Sequence, residues 1–266
     1  MIAELTDRAV IAVSGPEARA FLQGLVTNDL EKVAPGRALY AALLTPQGKI
    51  LFDFLVSENG GTLLLDCRRE AREALIKRLS LYKLRAKIEI EARDGLCVFA
   101  GLGGEVMPGG FADPRLPALG TRAVAAKGEI AAPAGPDDYH ALRLDLCVPE
   151  GHDFGSDKMF ALDVNLDELH AVSFDKGCYV GQELTARMKH RGTARKRLLA
   201  VATRDGSPLV RDVAVTANGQ EIGAVASAYG TRGFAIIRLD RLADAAAPIE
   251  AGDTAVNVTK PSWLFP

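Results

Sequence analysis

The sequence predicts an α+β body followed by a small all-β barrel or sandwich. Its first ninety residues read as strand, helix, β-meander, helix and strand, which is typical of α+β packing rather than of a doubly wound parallel sheet. After about residue 195 the pattern changes to short strands separated by turn residues. The 266-residue chain is 48% hydrophobic and 25% charged, an ordinary globular composition with enough length to bury a core.

The elements of the body follow from apolar spacing and turn residues. Strands are predicted at residues 8–13, 39–44, 50–56, 62–65, 88–90 and 139–146. A capping-box pattern at residues 14–17 predicts a first helix, in which Ala18, Leu22 and Val26 share one face. A second helix is predicted over residues 69–83, with Asp66 as its N-cap.

The C-terminal part reads as five short strands with turns between them. The strands are predicted at residues 197–203, 213–216, 221–228, 234–239 and 255–259, and Asp205-Gly206 and Asn218-Gly219 supply turns. The sequence therefore divides into residues 1–192, with a possible split into two subdomains near 90–115, and a β-barrel over residues 193–266.

Charge and cysteine usage exclude several classes of protein. Lys and Arg number 32 against 34 Asp and Glu, a net charge of −2, so no general attraction to nucleic acid or to an anionic membrane is expected. No apolar stretch approaches membrane-spanning length, and residues 1–8 do not resemble a signal or transit peptide. Cysteines at positions 67, 97, 147 and 178 form no C-x-x-C pair, and the four histidines lack metal-ligand spacing. We therefore expect free thiols in a cytoplasmic, reducing compartment, no tightly bound metal and no membrane association.

The chemistry is concentrated in residues 174–183, which we call the Cys178 segment. A thiol, a phenol, an amide, a carboxylate and an ammonium lie between Lys176 and Glu183. A helix is predicted to begin near Val180 or Gly181 and to end near Lys189. This places Cys178 at or just before a helix N-terminus, two residues from Lys176, where a lowered thiol pKa and a reactive thiolate are expected. The alternative is a buried cysteine that acts as a small hydrophobe.

A basic segment follows directly. Six cations and no acid lie in residues 187–197, namely Arg187, Lys189, Arg191, Arg195, Lys196 and Arg197. Such a cluster can bind phosphates, RNA or a polycarboxylate tail. It can equally be a solvated helix end whose cations complement the helix dipole. Direct RNA contact therefore stays open.

Residues 176–183, Lys-Gly-Cys-Tyr-Val-Gly-Gln-Glu, resemble the K-G-C-Y-x-G-Q-E signature of the YgfZ-type folate-binding proteins. Their eukaryotic counterparts are mitochondrial iron–sulfur assembly factors. The resemblance extends to residues 27–29, 45–49, Arg187 and residues 190–192. It implies the fold of the glycine-cleavage T-protein, an aminomethyltransferase, with a folate-binding body in residues 1–192.

By the same resemblance, the protein binds tetrahydrofolate or a derivative. It supports assembly or repair of iron–sulfur clusters in client enzymes, including tRNA-modifying ones, and its partners are client or assembly proteins. Cys178 and Lys176 are then the reactive groups. The predicted folate contacts are Asp145, Arg143, Tyr179, Gln182, Glu183, Arg187 and Arg191.

Four positions depart from the family pattern. Cys147 stands where glycine is usual, Ala161 and Asp163 stand where proline and glutamate are common, and Asp145 replaces a folate-contacting glutamate of the T-protein. These departures concern folate affinity rather than the fold.

Three functions remain open from the sequence. In the first, a folate-binding accessory protein uses Cys178 to hold iron, sulfide or a one-carbon unit transiently, because one thiol cannot enclose a cluster. No classical turnover is expected of it. The second is a tetrahydrofolate-dependent aminomethyltransferase, which is disfavoured because Phe52 replaces one of two adjacent aspartates of that family. The third is a non-catalytic interaction module with a vestigial folate pocket.

Overall fold

The computed structural model describes residues 1–192, 195–243 and 248–265, so the predicted boundary at residue 193 lies outside the described residues. Its strands are β1 (Ile2–Glu4), β2 (Arg8–Ser14), β3 (Leu39–Leu44), β4 (Ile50–Asn59), β5 (Thr62–Arg68), β6 (Glu89–Ala92), β7 (Leu96–Gly101), β8 (Phe111–Ala112), β9 (Thr121–Ala126), β10 (Lys196–Thr203), β11 (Ala214–Ala217), β12 (Gln220–Tyr229), β13 (Arg232–Arg238), β14 (Ile249–Ala251) and β15 (Thr254–Thr259). Its helices are α1 (Ala18–Gln23), α2 (Arg72–Lys83), α3 (Pro136–Asp145), α4 (Gly151–Phe154), α5 (Gln182–His190) and α6 (Leu239–Ala243).

The body contains two antiparallel sheets. The larger has the strand order β3-β4-β5-β2-β6, and the smaller has the order β1-β7-β9-β8. One face of the larger sheet carries Ile11, Phe54 and Leu65, which pack under α1 and α2. The opposite face, with Val10 and Tyr40, joins a second core shared with the smaller sheet, α3 and the barrel. The larger sheet is therefore covered on both sides, as its apolar strands require.

The C-terminal part is a closed antiparallel barrel with the strand order β10-β13-β12-β11-β14-β15. Asn218 and Gly219 both have positive φ, +53° and +71°, at the hairpin between β11 and β12. This is the turn chemistry that the Asn-Gly pair predicts. The α+β class and the barrel are confirmed, and β14 is a strand that the sequence reading missed.

The predicted strand at residues 139–146 is wrong, because this stretch lies in α3. Pro136 occupies the first turn, and the Asp138 carboxylate accepts a hydrogen bond from the Gly135 amide at 3.1 Å. Tyr139 and Arg143, four residues apart, are both buried on one helical face.

Two predicted helix caps are also wrong. Asp66 lies within β5, where it is buried and pairs with Arg8, and α2 begins only after a 3₁₀ turn at Arg69–Ala71. The capping box before α1 does not form, and the Glu17 carboxylate instead accepts a hydrogen bond from the Lys87 amide at 2.8 Å.

Candidate functional site

Lys176 anchors the Cys178 segment to the loop that follows α1. The residue is 8% exposed, and its ammonium donates to the carbonyls of Gln23, Val26 and Asn28 at 2.7, 2.8 and 2.8 Å. Burial lowers the pKa of Lys176 to about 8. The three carbonyls favour the protonated form, because only the ammonium has three hydrogens to donate. Because these bonds use all three hydrogens, Lys176 positions the segment, and its predicted reactive role stays a prediction.

A pair of glycines anchors the other end of the segment. Gly181 has φ of +82°, and a Cβ there would lie 2.5 Å from the Thr45 carbonyl oxygen and 2.9 Å from the Leu44 Cβ. Gly48, with φ of +79°, faces Leu184 of α5 in the same contact. Residues 45–49 and the Cys178 segment, distant in sequence, therefore form one site through close backbone approach.

Cys178 is exposed between these two anchors. The alternative of a buried hydrophobic cysteine is therefore wrong for this thiol. Its neighbour Tyr179 is 7% exposed, and burial raises the pKa of that phenol to about 12. The helix α5 begins at Gln182, four residues after the thiol and slightly later than expected.

The other cysteines are less accessible. Cys67 and Cys147 are buried, and burial raises their thiol pKa values to about 12 and about 11. Cys97 is half-buried. Cys147, which replaces the family's usual glycine, has φ of +59°, a left-handed conformation that explains why glycine is common there.

Arg143, a predicted folate contact, is fully buried and fully engaged. Its guanidinium donates to Asp153 Oδ2 at 2.7 Å, to the Tyr229 hydroxyl at 2.7 Å and to His140 Nδ1 at 2.8 Å. Burial opposes the charge, but Asp153 more than compensates, so the pKa of Arg143 lies above its usual value. Because Tyr229 belongs to β12, this arginine joins the body to the barrel.

The remaining predicted folate contacts do not converge with Arg143. Asp145, at the end of α3, is 64% exposed and pairs with Arg232 of the barrel at 2.7 Å. The others belong to the Cys178 segment and to α5 or its end: Tyr179 is buried, Gln182 is half-buried, and Glu183, Arg187 and Arg191 are exposed. Arg143 lines a cavity of about 200 Å³ where α3 meets the barrel. None of the other predicted folate contacts is among the described residues that line this cavity.

The basic segment is partly neutralised by acids from an earlier loop. Asp167, whose carboxylate is fully buried, accepts hydrogen bonds from Arg197 at 2.8 Å and from Lys189 at 3.1 Å. Burial would raise the pKa of Asp167, but these bonds and charges hold it below its usual value. Among the described residues, Arg187 and Arg191 form no ion pair, so the exposed basic surface is smaller than the sequence suggested.

The sequence reading missed a buried ionic cluster between the two sheets and α3. Its fully buried arginines are Arg8, Arg115, Arg122 and Arg143, and its buried carboxylates are Asp66, Asp113, Glu150 and Asp153. Glu150 accepts from Arg115 at 2.6 Å and from Arg8 at 3.4 Å, and it also bonds the Tyr139 hydroxyl. A single arginine within an otherwise apolar strand, as in residues 8–13 and 121–126, was the sequence signal that could have indicated a buried cation.

Two larger cavities lie near these features. The Asp53 cavity, about 280 Å³, is lined by Phe52, Asp53, Phe154, Arg68 and Arg211, among others. The Phe174 cavity, about 520 Å³, is lined by Phe174 and Asp175 of the Cys178 segment and by Asn28, Lys32 and Arg37.

Asp53 is the buried carboxyl of the first cavity. It accepts a hydrogen bond from the Tyr40 hydroxyl at 2.9 Å, and burial raises its pKa. Within the described part of the chain, no three His, Cys, Asp or Glu side chains are grouped to hold a metal ion. No helix among residues 1–192, 195–243 and 248–265 has the length and apolarity to cross a bilayer.

The architecture is that of an aminomethyltransferase-type α+β protein. It matches the crystal structure of glycine cleavage system aminomethyltransferase T from Bartonella henselae with a TM-score of 0.74, over 98% of this chain and 85% of that chain, at 16% identity. Residues 1–83 match the GCVT N-terminal domain, and residues 195–266 match the CAF17 C-terminal β-barrel domain.

Sequence comparison narrows this class to one family. The chain is 34% identical to the mitochondrial iron–sulfur cluster assembly factor IBA57 of Mus musculus and 33% identical to that of Homo sapiens, in each case over 97% of this chain and 84% of the relative. The chain belongs to the IBA57 family, which confirms the resemblance carried by residues 176–183.

Proposed function

We propose that this protein supports iron–sulfur cluster assembly and that the Cys178 thiol contacts the cluster or its components. The observation that carries the proposal is an exposed thiol on a segment that Lys176 and Gly181 fix from buried positions on either side. The relatives in mouse and man that share a third of its residues are named as assembly factors. A rigidly presented, accessible thiol suits repeated encounters with partner proteins.

The chemistry expected of Cys178 is that of a single ligand. A thiolate binds iron after it loses its proton, and clusters commonly take four such ligands. The remaining ligands must therefore come from a client or assembly protein. Such a site holds its cargo transiently rather than storing it, and it works in a reducing compartment such as the cytoplasm, where the thiol stays free.

Complementation tests this role. In cells that lack their own copy of the protein, the Cys178→Ser variant should fail to restore the activity of an enzyme that depends on a [4Fe–4S] cluster. The Cys97→Ser variant, which changes a half-buried thiol, should restore it. Equal abundance of both variants is checked by immunoblot, and full rescue by Cys178→Ser removes the thiol from the mechanism.

We extend the proposal to clients that modify tRNA. Cluster-dependent tRNA-thiolating enzymes should lose activity in the same cells, so the thiolated fraction of their tRNA should fall with Cys178→Ser and not with Cys97→Ser. Normal thiolation in cells whose other cluster enzymes fail would restrict the clients to those enzymes.

Folate binding is the second part of the proposal, and the Asp53 cavity suits it better than the motif residues do. A pterin offers a flat donor edge, an aromatic face and an acidic tail. Phe52 supplies an aromatic surface, Asp53 a carboxyl, and Arg68 and Arg211 cations in one cavity. Bound tetrahydrofolate would supply a carrier for one-carbon units, and these side chains would orient it.

Calorimetric titration with tetrahydrofolate separates this site from the motif prediction. Arg68→Ala should weaken binding about tenfold through loss of a charge-assisted contact, whereas Asp145→Ala should leave it unchanged. The reverse result would restore the motif residues as the folate contacts. No binding by the wild-type protein would reject the folate part of the proposal and leave the role of Cys178 untouched.

A further inference from the structure

A basic surface that contains two exposed leucines lies at the end of α2, outside the site described above. Residues 77–87 hold five cations and no acid: Lys77, Arg78, Lys83, Arg85 and Lys87. Leu81 and Leu84 among them are 64% and 89% exposed. We call residues 77–87 the Leu84 patch.

The two leucines are not part of the face that anchors the helix. Leu75 and Leu79 of α2 are fully buried and pack onto the larger sheet. Leu75 and Leu79 thus anchor the helix to the core, whereas the exposed side chains of Leu81 and Leu84 lie outside it. Two large apolar side chains in water, three positions apart in a basic stretch, are typical of an interaction surface.

Leu84 also occupies a backbone position that disfavours it. Its φ of +44° and ψ of −107°, with a hydrogen bond from the Ala86 amide to the Lys83 carbonyl at 2.8 Å, match the first central position of a type II′ turn. Glycine is the usual residue there, because a Cβ is strained at positive φ. The chain thus carries an exposed leucine where glycine would be more stable, and such strain is concentrated at functional sites.

The five cations of the Leu84 patch form no ion pair with any described residue. The acid nearest before it, Glu73, is paired with Arg72 at 2.9 Å. The Glu17 carboxylate accepts a hydrogen bond from the Lys87 amide at 2.8 Å but forms no ion pair with the five cations, so the patch keeps an excess of positive charge on a chain whose net charge is −2. Charge complementarity favours an anionic partner over a neutral or basic one.

We propose that the Leu84 patch docks an acidic amphipathic protein surface, on which an apolar stripe packs against Leu81 and Leu84 and the flanking carboxylates pair with the five cations. A small apolar centre inside a charged rim is the usual anatomy of a protein–protein interface. The proposal stands independently of Cys178 and of folate.

The same features disfavour RNA and membranes. RNA recognition uses aromatic stacking, and Tyr82, the aromatic residue of the patch, is half-buried. A helix that lies in a bilayer interface inserts its apolar face, but the apolar face of α2 is already packed on the sheet.

The test measures binding of two synthetic peptides to the full chain by fluorescence anisotropy. The first peptide is an amphipathic helix with Glu on its polar face and Leu at i, i+3, i+4 and i+7, and the second replaces each Leu with Ser. The wild-type protein should bind the first at least about tenfold more tightly than the second, with an affinity that falls as salt rises. Lys83→Glu combined with Arg85→Glu should abolish binding, while Arg187→Glu combined with Arg191→Glu, an equal charge change on α5 and its end, should not.

Leu84→Gly separates docking from folding. Because glycine relieves the strained turn, this variant should have a higher melting temperature than the wild type and yet bind the first peptide more weakly. No binding of the first peptide, or a Leu84→Gly variant that binds like the wild type, overturns the proposal. Tighter binding of polyuridine RNA or of phosphatidylserine vesicles through Lys83 and Arg85 overturns it in favour of those partners.

Discussion

The exposure of Cys178 follows from the burial of the residues around it. Lys176 is held inside by three carbonyls, and Tyr179 is buried on the other side. Gly177 and Cys178 must then bulge outward between them, which presents the thiol without reliance on a flexible loop. The hydrogen bonds of Lys176 thus determine where the Cys178 thiol lies.

Lys176→Met tests this anchor, since methionine keeps the apolar stem and removes the donors. Three carbonyls would lose their partners in a largely dry position, and the free energy of unfolding should fall by about 2–4 kcal/mol. Urea denaturation measures the loss. Lys49→Met is the matched control, because Lys49 donates to one carbonyl, that of Asp157, from a more exposed position. Equal losses in both variants would contradict the anchoring role.

Helix α5 and the turn at residues 45–49 are held together by a backbone contact. Gly181 and Gly48 allow this approach, and both need positive φ. Elements with so close a contact tolerate no added atom at the interface.

Gly181→Ala and Gly177→Ala are a matched pair within the Cys178 segment. A Cβ at Gly181 would collide with the Thr45 carbonyl at a strained φ, so this variant should lose about 2–4 kcal/mol of stability. A Cβ at Gly177 meets no atom within 4 Å, and Gly177→Ala should change stability by less than about 0.5 kcal/mol. Thermal melts compare them, and equal stability of the two variants would show that the contact does not constrain the site.

Elements with local signals were predictable from the sequence, and those decided by distant contacts were not. The barrel strands follow from alternation and from turns such as Asn218-Gly219. Residues 139–146 alternate apolar and polar side chains as a strand does, but burial of Tyr139 and Arg143 against distant partners makes them helical. Motif recognition found the Cys178 segment and not the Asp53 cavity, because its lining comes from separate parts of the chain.

The buried ionic cluster unites the two sheets, α3 and the barrel. Arg8 pairs with Asp66 at 2.6 Å and with Glu150, which lies 142 residues away in sequence. No local pattern predicts contacts of this range. Each charge is compensated only in the assembled fold. Loss of one partner therefore leaves the other charge unpaired in a low-dielectric interior.

Glu150→Gln should therefore cost about 3–5 kcal/mol and change the response to acid. Burial raises the pKa of Glu150, but Arg115 and Arg8 lower it well below its usual 4.5. A lowered folded-state pKa means that the carboxylate stabilises the fold above about pH 4.5 and that this contribution is lost as pH falls further. Urea titrations from neutral to acidic pH should show a shallower loss for Glu150→Gln than for the wild type.

Glu73→Gln controls for the loss of a carboxylate, since Glu73 is 74% exposed. It should leave both the stability and its pH dependence close to those of the wild type. If the stability of Glu150→Gln fell with pH as steeply as that of the wild type, Glu150 would not contribute to the acid sensitivity of the fold.

The rate at which Cys178 is alkylated in the presence of a cluster-loaded iron–sulfur carrier protein tests the proposed function most directly. Mass spectrometry follows iodoacetamide labelling of each cysteine in the purified chain under anaerobic conditions. If the thiol contacts the cluster, the loaded carrier should slow labelling of Cys178 at least about tenfold, the cluster-free carrier should not, and Cys97 should be unaffected. Labelling of Cys178 at one rate with both forms of the carrier would contradict the proposed role of the thiol.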